Sequence, residues 1–172
     1  MPSRGPDVEI FSLARVGDVV EGAAFERTCP RIPALCVTPT GRVIAAWDVR
    51  ADWRDLPGAF DIAYRVSDDD GRTWGAVRIL RRHEGAHGFG DASLIADPAT
   101  GRLHCWCVGS RGESYFSAEP GREGLSLWLS TSEDDGETWT HRDLTALRPA
   151  DVGGMFAASG NGCALASGRL LD

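Results

Sequence analysis

Lysine is absent from this sequence: all 18 basic residues are arginine, set against 25 acidic residues for a net charge of −7. Such a balance excludes the ordinary nucleic-acid binder, which carries a basic face. An arginine-for-lysine bias is what a GC-rich genome writes, so a lone arginine is weak evidence of function here. No apolar run reaches the length that spans a bilayer. The opening stretch, MPSRGPDVEIFSLARVGD, has no apolar core of signal-peptide length. As written, the chain is expected to be soluble and cytoplasmic, or secreted if its true N-terminus is missing. Helical periodicity of useful length is missing throughout. Metal-ligand spacing is missing too, both among the five cysteines and among His83, His87, His104 and His141. We expect no metal and no cofactor, and read the histidines as ordinary surface or strand residues. Cys105 and Cys107 flank Trp106 in an apolar run and are expected to be buried thiols on one strand face.

What the sequence does contain is a repeat, in a chain whose 172 residues and 42 % hydrophobic content suffice for one domain with a core. An apolar strand, a Gly-Arg turn and a second apolar strand recur as ALCVTPTGRVIAAW, SLIADPATGRLHCW and GCALASGRLLD, with turn glycines at Gly41, Gly101 and Gly168. Between them stand SDDDGRTW (67–74) and SEDDGETW (132–139), identical at six of eight positions. Asp-Gly is a strong short-range hairpin signal. Asp69 and Asp134 can accept backbone N–H bonds that hold the turn. Trp74 and Trp139 can fold back as apolar plugs between adjacent sheets. Two hairpins make a four-stranded unit, and repeated antiparallel units of this kind are the mark of a β-propeller, whose blades cannot bury both faces alone.

The phrase S-x-D-x-G-x-T-W is the Asp-box, which resembles that of sialidases, other secreted glycosidases and several non-enzymatic propellers. RIPAL, 36 residues before the first box, resembles the Arg-Ile-Pro motif of bacterial sialidases (neuraminidases). The resemblance continues through WDVRADWRDLPGAFDIAYRVSDDDGRTWG, GFGDASLIADPATGRLHCW and FAASGNGCALASGRLL. It runs from about residue 28 to the last residue and matches the N-terminal half of a sialidase catalytic domain. It implies an all-β fold, a six-bladed β-propeller of which residues 1–172 would supply about two to three four-stranded antiparallel blades, with no second domain.

The function it implies is that of an exo-alpha-sialidase, a glycoside hydrolase releasing terminal sialic acid from glycoconjugates. Sialic acid bears a carboxylate at its anomeric carbon, which a guanidinium can grip bidentately. Arg31 matches the first of the family's three carboxylate-binding arginines. The same carboxylate repels a carboxylate nucleophile, and sialidases use tyrosine instead. An acid/base carboxyl is still required. The resemblance gives that role to Asp55, in a loop broken by Pro57 and Gly58, with Asp52 and Asp61 as rivals that otherwise read as solvated loop residues. Arg50 and Asp91 match positions that bind the C4 hydroxyl. Asp91 could instead cap the turn that ends HGFG. Tyr64 and Tyr115, the only tyrosines, lie outside the family's tyrosine context, so turnover by this chain alone is not expected. An unpaired propeller edge should favour self-association. The competing reading is a non-catalytic Asp-box propeller that binds carbohydrate or protein.

Overall fold

The computed structural model describes residues 10–172. The first sheet has the order β1-β2-β3-β4, formed by Cys29–Val37, Val43–Arg50, Asp61–Ser67 and Arg78–Arg81. A second set, Gly88–Ala96 (β5), Leu103–Ser110 (β6), Leu125–Ser132 (β7) and Thr140–Asp143 (β8), repeats that meander, and every pairing within each set is antiparallel. A short third hairpin follows, Cys163–Ala164 (β10) with Leu170–Leu171 (β11). One contact departs from the meander: the two-residue β9, Gly160–Asn161, pairs parallel with β5. Helix is limited to two three-residue 3-10 turns, Tyr115–Ser117 and Thr145–Leu147. Among the described residues, no helix is long and apolar enough to cross a membrane.

The two sheets face one another across a core built from alternating strand positions. Ile44, Ala46, Ile62, Tyr64 and Leu80 of the first meet Phe89, Leu94, Leu103, Cys105 and Cys107 of the second. Both cysteines are therefore buried thiols on one face of β6, as expected. The opposite face of the first sheet is covered by the segment before β1, where Val20, Ala14 and Ala23 pack on Trp47, Val49 and Ala63. This explains why almost all of β2 is buried on both faces. A fully buried Ile or Leu contributes about 1.5–3 kcal/mol, whereas an exposed ion pair contributes about 0–1. The apolar layer, not the charge pairs at its rim, docks the sheets.

The repeated turns superimpose in their hydrogen bonding. Ser67 Oγ and Ser132 Oγ each accept the N–H of the glycine four residues on, at 2.9 Å in both copies. Asp69 and Asp134 each accept the N–H of Thr73 or Thr138 at 2.8 Å. Gly71 and Gly136 take positive φ at these turns, and Gly41, Gly101 and Gly168 take it at the others. The tryptophans do not behave alike. Both are half-buried, but Trp139 packs against the inter-sheet core and meets the Tyr64 ring edge-on at 6.1 Å. Trp74 instead turns its indole N–H onto its own Gly71 carbonyl at 2.9 Å. Only Trp139 is a plug between sheets, because only it has a second sheet beside it among the described residues.

Candidate functional site

At the end of the sheets opposite the two boxes, the β2–β3 loop, the start of β1 and the start of β5 converge. Two matching irregularities shape this end. In β1 the register with β2 slips between Arg31 and Ala34, and Ile32 sits at φ +52°. In β5 the register with β6 slips between Gly90 and Ser93, and Asp91 sits at φ +58°. Positive φ is a genuine outlier for β-branched Ile32, and such bulges are typically found where a side chain is re-aimed. Here they direct Arg31 and Asp91 toward the β2–β3 loop.

Arg50, the last residue of β2, is the hub. Its side chain is 1 % exposed. Nε and Nη2 donate to Asp48 Oδ2 at 3.0 and 2.6 Å, Nη1 donates to Asp55 Oδ1 at 2.5 Å, and Nη2 reaches Asp91 Oδ1 at 3.4 Å. Its guanidinium lies 4.9 Å from the Phe60 ring centroid. Arg31 Nη1 stands 3.7 Å from Asp55 Oδ1 and also donates to the Trp53 carbonyl. All four residues expected at the site thus share one cluster. Asp55 is its open member, with 78 % of its side chain exposed against 27 % for Asp91. The loop is pinned from β5: Phe89 N donates to Phe60 O at 2.9 Å, and Gly88 passes so close to Gly58 O that a Cβ would collide with backbone.

Three carboxylates compete for this one guanidinium, and the charge balance shows it. Burial, helped by Asp91, pushes Asp48 up to about 7 even though Arg50 pulls the other way. Burial also raises Asp91, with Arg50 opposing and Asp55 adding to the rise. Burial works against the Arg50 charge, but its carboxylates outweigh that and hold its pKa above the ordinary value. Asp48 was not anticipated. The available signal was Asp48-Val49-Arg50 itself, because residues two apart on a strand share a face.

Three expectations need correction. Asp61 is no solvated loop residue: it opens β3, is fully buried, and accepts the His83 N–H at 2.6 Å with His83 Nδ1 at 2.8 Å. The burial faces away from the site, since Asp61 pairs with Val49 on the face covered by the N-terminal segment. Asp52, the other rival, is tied to Arg54 at 2.5 Å. His87 is not a surface or strand residue but is buried in the β4–β5 connection, 4.4 Å from the Phe89 ring and holding the Arg111 Nε–H at 3.3 Å. Finally, Asp91 caps no turn but lies within β5. Among the described residues, no group of His, Cys, Asp and Glu is arranged to hold a metal ion.

No family model matches the chain. A sialidase from Micromonospora viridifaciens is 38 % identical over 156 residues, which cover 83 % of this chain and 24 % of that protein. A sialidase from Bacteroides fragilis (strain YCH46) is 32 % identical over 125 residues, covering 64 % and 23 %. Among solved structures, the Hadza microbial sialidase Hz136 superimposes with a TM-score of 0.77 at 28 % identity, over 82 % of this chain and 31 % of that one. The chain belongs to the bacterial sialidase family. Its two antiparallel sheets are blades of the sialidase-type propeller, and it spans about a quarter of the length of these two curated relatives.

Proposed function

We propose that this end of the sialidase blades carries the acid/base and C4-binding groups for releasing terminal sialic acid from glycoconjugates. The observation that carries the reading is Asp55: an exposed carboxylate held 2.5 Å from buried Arg50 and 3.7 Å from half-exposed Arg31. Arg31 would exchange its Asp55 contact for the substrate carboxylate, which frees Asp55 to face the glycosidic oxygen. Asp55 then protonates the departing oxygen and later takes a proton from water. Arg50 and Asp91, a donor and an acceptor on adjoining blades, suit one hydroxyl, the C4 hydroxyl of the sugar.

Neither described tyrosine suits the nucleophile. Tyr64 is buried, with its hydroxyl on Gly136 O at 2.9 Å, at the box end. Tyr115 stands edge-on to Phe116 and Phe156 and hydrogen-bonds no carboxylate among the described residues. We therefore expect sialic acid to bind this chain without turnover of a fluorogenic sialoside. In any longer form that supplies a tyrosine, Asp55→Asn should slow natural sialosides by about 10²- to 10⁴-fold. Activated aryl sialosides, which need little protonation, should suffer less. Equal losses on both substrates would remove Asp55 from the acid role, and ordinary turnover by this chain would require a different nucleophile.

A further inference from the structure

The C4 assignment above names two groups, Arg50 and Asp91, that belong to different sheets. Something must fix their separation. One side chain touches both. Asp48 accepts two hydrogen bonds from the Arg50 guanidinium, at 3.0 and 2.6 Å, and also accepts the backbone N–H of Asp91 at 3.0 Å through Oδ1 and 3.3 Å through Oδ2. It is fully buried, so it cannot itself reach a sugar. Room for its carboxylate comes from Gly90, where a Cβ would lie 2.7 Å from Asp48 Oδ2. The carboxylate thus spans the boundary between the blades at the point where the β5 bulge turns Asp91 outward.

Building on the proposed sialic-acid site, we infer that Asp48 is a positioning residue: it sets the guanidinium plane of Arg50 and the backbone of Asp91 as one rigid pair, and so sets selectivity for the C4 hydroxyl. The Asp48 carboxyl on the Arg50 Nε side leaves Nη1 and the outer edge of Nη2 aimed at Asp55 and Asp91. An amide in its place offers one oxygen for three N–H donors and turns an N–H₂ group toward one of them. The pair would then separate, and a hydroxyl that needs both groups would lose one of them.

The test uses the 172-residue chain labelled with 15N. In the wild type, the Arg50 Nε–H and the Asp91 amide should give sharp signals protected from solvent exchange. Asp48→Asn should shift both and accelerate Arg50 Nε–H exchange at least about tenfold. In parallel, N-acetylneuraminic acid and its 4-deoxy analogue are titrated by saturation-transfer NMR. The wild-type preference for the 4-hydroxy sugar should fall about tenfold in Asp48→Asn, the loss of one hydrogen bond to a charged group, with 4-deoxy affinity unchanged. If Asp48→Asn does not fold, Gly90→Ala keeps the carboxylate, crowds it, and should move the same signals and the same ratio. Unshifted Arg50 and Asp91 signals, or an unchanged sugar ratio beside a normal wild-type preference, overturn the inference. A wild type that does not distinguish the two sugars overturns the C4 assignment instead, and the exchange data then decide whether Asp48 holds the pair.

Discussion

The two ends of these sheets use the same residue types to opposite effect. At the box end, Arg42 bridges the blades by reaching Asp68 at 2.7 Å and Glu137 at 2.6 Å, and Arg78 meets Glu137 at 2.9 Å, all near solvent. The turn carboxylates Asp69 and Asp134 are pulled down to about 2, chiefly by hydrogen bonds from Thr73 and Thr138. At the other end, Arg50 is buried among three carboxylates, and Asp48 and Asp91 are pushed up. One end uses carboxylates to close its own turns. The other confines them where no local partner suffices, and such tuned groups concentrate where chemistry is done.

The contrast can be broken most forcefully at Arg50. Arg50→Ala leaves Asp48 buried without its cation and should cost about 3–5 kcal/mol in urea unfolding. A loss below about 1 kcal/mol would mean that water already reaches the cluster. Next in size come the tryptophans. Trp139→Ala removes a contact between blades and should cost about 2–3 kcal/mol, while Trp74→Ala should cost under about 1; equal losses would restore the symmetry that the packing denies.

The pH dependence separates the ends by sign. Stability from Asp69 and Asp134 is present above the unfolded carboxylate value near 4 and is lost as pH falls through about 2. Asp48 runs the other way: its raised pKa favours the fold at low pH, and that contribution is lost as pH climbs from about 4 through about 7. Thermal midpoints of Asp134→Ala and Asp48→Asn across this range should flatten the acid limb and the neutral limb respectively. The smallest expected effect is at Asp55. Its side chain is 78 % exposed, so Asp55→Ala should change stability by less than about 0.5 kcal/mol, and a larger loss would make it a structural residue rather than an open acid.

The box end was almost fully legible, because Ser, Asp, Gly and Thr at fixed spacing hydrogen-bond one another within eight residues. At the site end, Arg31, Arg50, Asp55 and Asp91 were visible through family resemblance, but their supports were not. Asp48 shares a strand face with Arg50, a pattern that was readable yet passed as an ordinary strand end. Asp61 and His87 are buried against segments distant in sequence: Asp61 on the face covered by the stretch before β1, and His87 beside Trp128, Ser126 and Arg111 of its own blade. Nothing local announces that. The unequal fates of Trp74 and Trp139 have the same origin, since identical motifs meet different neighbours.

The paired bulges carry a further consequence, which is one of parity. Along β1, Ala34 faces the core, and strict alternation would send odd-numbered Arg31 to the far side. The slip between Arg31 and Ala34 reverses that phase, so Arg31 stands opposite Asp48 while Ala34 stands opposite Ala46, on the same face. In β5 the same reversal lets Phe89 and Leu94 both face the first blade. Each blade is therefore written in two reading frames, one for its packed body and one for its outer tip. A change of residue type at the tip leaves the body in frame, and the equivalent left-handed positions hold isoleucine in one blade and aspartate in the next. A deletion of one residue between Arg31 and Ala34 would merge the two frames: the arginine would stay on the face of Ala34 by ordinary alternation, and what would go is the left-handed turn at Ile32 that bends the tip toward the loop.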